Sequence, residues 1–120
     1  MYKIYNYADL RDEGFNGTAY NVFYEFSDGE EWWGHSGEFQ DELDAWFKSL
    51  DEALEFADER YPDEVLEDKL WAAPADGATK IMFSIREWEW IDGVDEMDGD
   101  EYFILLEKDD GRIKIERNLP

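Results

Sequence analysis

The chain has 120 residues, and its 33 Asp and Glu against 11 Lys and Arg give a formal charge of −22. Six Trp, seven Tyr and eight Phe accompany that charge, which excludes a disordered acidic tail, because such tails lack the apolar residues that offset chain entropy. Repulsion of phosphates excludes DNA, RNA and anionic membrane surfaces as direct ligands and leaves a basic surface as the fitting partner.

Read in chain order, residues 2–7, "YKIYNY", have the aromatic and branched character of a short first strand. Gly14 and the Asn16-Gly17 pair mark a turn after it. Residues 19–26 alternate, with Tyr20, Val22, Tyr24 and Phe26 on an inward face and Asn21, Phe23 and Glu25 on the other. "SDGE" is a turn and "EWWGHS" a possible third strand. In the segment up to Lys48, Leu43, Trp46 and Phe47 suit a helical stripe, while "DAWFK" equally suits a short strand.

The clearest helix covers residues 49–61. Ser49 and Glu52 stand at capping-box spacing, followed by Leu50, Ala53, Leu54, Ala57 and Tyr61 on one face. Pro62 ends it or starts a second helix, "PDEVLEDKLW", with Val65, Leu66, Lys69 and Leu70 near one side. Trp46 and Trp71 fall on helical stripes and are expected in the core. "AAPADGA" is a loop.

From Thr79 the period becomes two, with Ile81, Phe83 and Ile85 on one face. Beyond Ile85 that face meets Glu87 and Glu89, with Trp88 and Trp90 opposite, as a bulge or a strand running past the sheet edge would produce. "EYFILLEK" and "RIKIER", joined at "DDG", complete a three-stranded meander. The expectation is a single α+β domain over residues 1–120, an antiparallel sheet in the order β-β-(β)-α-α-β-β-β with two helices packed on one face.

The charge is clustered. Residues 38–69 hold 13 acids and 3 bases, and residues 87–101 hold 8 acids and no base. On the first helix Asp51, Glu55 and Asp58 form one stripe, and Glu52 and Glu59 a neighbouring line. Seven helical residues rise roughly 10 Å, while duplex DNA carries one charge per roughly 3.4 Å on each strand, so such lines can imitate part of a phosphate backbone. Helix first turns also favour acids through the dipole, a competing local reason for Asp51, Glu52, Asp63 and Glu64.

Catalytic patterns are missing. His35 is the only histidine and Cys is absent, which excludes His-cluster metal sites and a His-paired thiol. Ser36 and Ser84 lie in no GxSxG elbow. An EF-hand register fails because position 3 becomes Val94 when counted from Asp92 and Met97 when counted from Asp95. Among the tryptophans, Trp32, Trp33, Trp88 and Trp90 are candidates for carbohydrate stacking, and Trp88 and Trp90 for aromatic anchors ringed by acids.

The expectation is a non-enzymatic acidic inhibitor without cofactor or metal. Its partner-binding residues are Asp51, Glu52, Glu55, Asp58, Glu59, Glu87, Trp88, Glu89, Trp90, Asp92, Asp95, Glu96, Asp98, Asp100 and Glu101. By size, acidity and lack of catalytic residues the chain resembles the phage-encoded DNA mimics that block restriction or CRISPR effectors, a resemblance of physical type resting on no motif. It implies a basic nucleic-acid-binding protein, a nuclease or CRISPR effector, as the partner. Alternatives are an immunity protein neutralising a nuclease toxin, or a small soluble structural or ligand-binding domain with generic acidity. With no apolar leader and no spanning run, the expected location is the cytoplasm, of its own cell or of an infected host.

Overall fold

The structure, a computed structural model, describes residues 1–33, 44–72 and 77–120. Among these the elements are α1 (Tyr7–Asp12), β1 (Gly17–Ser27), β2 (Trp32–Trp33), β3 (Ala45–Phe47), α2 (Leu50–Arg60), α3 (Asp63–Trp71), β4 (Lys80–Ile91), β5 (Val94–Asp109) and β6 (Arg112–Asn118). Six strands form one sheet in the order β2-β1-β4-β5-β6, with β3 also on the outer side of β1. Every pairing is antiparallel. The class is α+β, and α2 and α3 pack on one face of the sheet.

That packing follows from the sequence pattern. The register places Val22 beside Ile85, Tyr24 beside Phe83 and Phe26 beside Ile81, and carries Phe83 to Ile104 and Ile81 to Leu106. Antiparallel partners share a face, so these side chains form one apolar surface. Ala53, Phe56 and Ala57 of α2 and Leu66 and Leu70 of α3 close over it. Each large side chain so buried contributes roughly 1.5–3 kcal/mol. Ser49 caps α2 by accepting the Glu52 N–H at 3.2 Å, and Pro62 occupies the N-cap position of α3.

Three expectations are corrected. Residues 2–7 are not a strand: only Tyr5 makes an isolated bridge, to Trp46, and α1 begins at Tyr7. Asn6 and Asp9 form a reciprocal capping box, Asn6 Oδ1 accepting from Asp9 N–H at 2.7 Å and Asp9 Oδ2 from Asn6 N–H at 3.0 Å. That local pairing overrides the strand-like composition. Second, Trp71 is 49% exposed. It is the last residue of α3, beyond the packed turns, with the Lys108 ammonium 4.7 Å from its ring centroid. Third, the bulging expected beyond Ile85 is present in the β4–β5 ladder but on the β5 side, while the register of β4 with β1 is unbroken from Lys80 to Trp90.

The apolar residues of β4 change face because the sheet has a second core. Ala19, Trp46 and Trp90 lie on the face opposite α2 and α3, and α1 seals them with Leu10. Tyr5, Phe15 and Trp88 pack at the margin. Among the described residues helices thus lie on both faces of the sheet, two on one face and a short third on the reverse. Of the ambiguous segment the described residues Ala45–Phe47 form strand β3, paired with Tyr20, Asn21 and Val22. The expectations on Leu43, His35, Ser36 and the rest of "GHS", and on residues 73–76 of the loop, lie outside the described residues.

Candidate acidic partner-binding surface

The β4–β5 hairpin carries the second acidic block, and its tip is fixed by backbone chemistry. Asp92 and Gly93 have φ of 50° and 80°, the paired left-handed conformations of a two-residue type I′ turn. Asp92 N–H donates to Asn16 Oδ1 at 2.9 Å and Gly93 N–H to the Phe15 carbonyl at 3.0 Å. A Cβ at position 93 would stand 2.5 Å from the Arg11 carbonyl oxygen, so only glycine lets the tip seat against the end of α1.

Below the tip, the irregularity lies in β5. Arg86 pairs with Glu101 but Trp88 with Asp98, so Gly99 and Asp100 face the single Glu87. Glu89 pairs with Met97 but Trp90 with Asp95, leaving Glu96 extra. These two bulges twist the strand. Because β6 reaches only Phe103 on β5, the stretch from Val94 to Glu101 is an open sheet edge among the described residues.

The register sorts the carboxylates by face. Glu87 and Glu89 lie opposite Tyr20 and Thr18, on the side that bears α2 and α3. Asp100 joins them: the Tyr20 phenol is held above its ordinary value, first by burial and then by the charges of Glu87, Asp100 and Glu89 and by Tyr102. Asp95, Asp98 and Glu101 pair with Trp90, Trp88 and Arg86 and face the other way, on the α1 side. Asp92 sits in the turn and Glu96 in a bulge. The structure therefore divides the hairpin's carboxylates between two surfaces.

Several carry local partners. Arg86 Nη2 contacts Glu101 Oε2 at 2.7 Å, with the guanidinium over the Phe23 ring. Tyr7 O–H donates to Asp95 at 2.8 Å, which holds that phenol above its ordinary value, and Thr18 O–H donates to Glu89 at 2.9 Å. Glu87 lies over Gly99, where a Cβ would stand 2.6 Å from its carboxylate. Asp92, Glu96, Asp98 and Asp100 are exposed. Of the hairpin acids, only Glu101 is ion-paired among the described residues.

On α2, Asp51, Glu55, Asp58 and Glu59 are exposed and Glu52 is half-buried, opposite the packed face. Glu55 receives the Met1 ammonium at 2.7 Å, which raises the pKa of that amine chiefly through the hydrogen bond. Asp63 of α3 is ion-paired with Arg117. The helix stripe is thus partly compensated at its centre. Among the described residues no three carboxylates converge as metal ligands.

Trp90 does not belong to this surface. It is 1% exposed, with its ring centroid 5.1 Å from that of Trp46, 5.2 Å from Tyr7 and 6.2 Å from Phe15. Trp88 is half-buried beside it. Trp32 is exposed at the far end of β1 from the hairpin tip, paired with Ser27. Ser84 is fully buried, and its hydroxyl has no hydrogen-bond partner among the described residues.

The exposed apolar residues of the hairpin are others. Ile91, Val94 and Met97 are exposed, Met97 at 65%. Ile91 pairs with Val94 and Met97 with Glu89, which puts all three on the face of Glu87, Glu89 and Asp100. Their sequence signal was a set of apolar residues three apart, at 91, 94 and 97, inside an otherwise acidic run, overshadowed by the larger tryptophans. Comparison with protein-family models, with curated proteins and with solved structures finds no match to this chain.

Proposed function

We infer that the chain is a protein inhibitor whose hairpin face engages the nucleic-acid-binding surface of a basic protein, a nuclease or CRISPR effector. One observation carries the reading: exposed Ile91, Val94 and Met97 share a face with Glu87, Glu89 and Asp100. An apolar cluster rimmed by uncompensated charge is the arrangement of a binding hot spot, in which the apolar groups supply desolvated contact and the charges set partner sign and encounter rate. Side chains two apart along β5 are spaced about 7 Å, roughly two phosphate steps along one DNA strand. Lys and Arg that normally hold phosphates would meet carboxylates instead, and the complex would compete with nucleic acid rather than bind it. Fast, salt-sensitive association follows from electrostatic steering.

An immunity protein against a nuclease toxin would use the same physics, and the identity of the partner separates the two. No helix among the described residues is long and apolar enough to cross a membrane. The test is a pull-down from bacterial lysate at about 0.1 M salt, where the Debye length is about 10 Å, with duplex DNA as competitor. The expected result is one saturable nucleic-acid-binding protein, displaced by DNA and lost with Glu87→Lys/Glu89→Lys and with Met97→Asp. Retention of a broad set of basic proteins, or capture indifferent to those substitutions, would return the acidity to generic solubilisation.

A further inference from the structure

Two stretches of open sheet edge among the described residues, distal β5 and β6, are built differently. Along distal β5 the edge is bulged twice and carries five carboxylates between Asp95 and Glu101, which are devices that prevent strand addition. β6 is not bulged: it pairs with β5 through seven consecutive positions without a register shift, and no described strand lies on its outer side. In a chain of charge −22, this strand holds Arg112, Lys114 and Arg117 against Glu116 alone. We propose that β6 is a self-association edge, at which two copies of the chain pair their β6 strands antiparallel across a two-fold axis at Ile115.

The hairpin geometry determines which backbone groups are available. Asp110 and Gly111, with φ of 52° and 78°, form a two-residue turn closed by the Asp109–Arg112 pair. In such a hairpin the closing pair exchanges hydrogen bonds and the pairs then alternate. Arg112, Lys114, Glu116 and Asn118 therefore direct their N–H and C=O groups at β5, and Ile113, Ile115 and Arg117 direct theirs outward. An antiparallel partner centred on Ile115 meets those groups, Ile115 with its own copy and Ile113 with Arg117, giving about six backbone hydrogen bonds.

Side-chain chemistry selects the occupant. In that register Lys114 stands directly opposite Glu116 of the second copy, twice by symmetry. These are non-hydrogen-bonded pairs, whose Cα atoms are only about 4.5 Å apart. Among the described residues neither Lys114 nor Glu116 is ion-paired within one chain, so both charges can face the partner. Ile115, 41% exposed, would be covered by its own counterpart. Arg117 keeps its guanidinium on Asp63 and offers only its backbone. Two strongly negative molecules meet here at the one described strand whose own charge is positive, which lowers their mutual repulsion at this edge.

Sedimentation equilibrium from micromolar to millimolar protein at about 0.15 M salt tests the proposal. The expected result is a reversible monomer–dimer equilibrium. Lys114→Glu alone and Glu116→Lys alone should each weaken it about tenfold or more, because each sets like charges opposite one another twice. The combined swap, Lys114→Glu with Glu116→Lys, should restore it. Ile115→Pro, which removes an outward N–H on an edge strand where proline is tolerated, should abolish the dimer with far-UV circular dichroism unchanged. A chain that stays monomeric at every concentration, or a dimer that ignores the single reversals, overturns the proposal. Neither outcome bears on the hairpin face, whose substitutions are separate.

Discussion

Trp90 is flanked by Glu89 in the sequence and by Trp46, Tyr7 and Phe15 in space, so its substitution should act on stability. Trp90→Ala should cost about 3–5 kcal/mol, as for other buried aromatic truncations, measured by urea unfolding. Trp88→Ala, at half burial, should cost distinctly less. Equal, small costs would move Trp90 back to the surface. At the hairpin tip, Gly93→Ala combines a φ of 80° with a contact on the Arg11 carbonyl. The expected loss is about 1–3 kcal/mol, accompanied by loss of hydrogen-exchange protection at Gly93 N–H.

The helices differ in what holds them. α2 has eleven residues, a packed face of Ala53, Phe56 and Ala57, and a single side-chain cap from Ser49. Ser49→Ala should therefore lower global stability by about 1 kcal/mol. α1 has six residues and one buried side chain, Leu10, so its reciprocal Asn6–Asp9 box bears more of its stability. Asn6→Ala should fray α1 and loosen the lid over Trp46 and Trp90. The readout is near-UV circular dichroism and quenching of tryptophan fluorescence by acrylamide, with far-UV signal nearly unchanged. The capping spacing at Asn6 was as readable as that at Ser49; the aromatic alternation of "YKIYNY" masked it.

At the scale of the whole molecule, the −22 charge opposes compaction. Thermal stability should rise with moderate salt as screening shortens the range of repulsion to about 10 Å at 0.1 M, and a flat response would mean the acids are already compensated. Alkaline pH acts through three side chains whose protons the folded state holds more tightly. Tyr7 and Tyr20 lie above their ordinary 10.0, and Lys48, hydrogen-bonded to Glu13, lies above 10.5. Their contribution is complete below about pH 10 and is lost as pH rises through the folded-state values. Chemical denaturation should show a midpoint falling above pH 10. Neutralising Glu87 and Glu89 to Gln should move the Tyr20 titration back down, because two of the charges opposing phenolate are gone.

The sequence by itself determined the α+β class, the capped helix α2, the start of α3 at Pro62, the β4–β5–β6 meander and the two acidic blocks. Each is written in local spacing: a cap followed by a 3.6-residue stripe, a two-residue alternation, or a run of one charge. Only the tertiary structure decided that Trp90 is core while Trp71 is not, and that Ile91, Val94 and Met97 rather than the tryptophans accompany Glu87, Glu89 and Asp100. Those outcomes depend on α1 crossing to the reverse face and on two bulges in β5, which set the side each residue of the hairpin presents. Burial on a two-sided sheet is a property of what lies above each face, and that is fixed by segments distant in the chain.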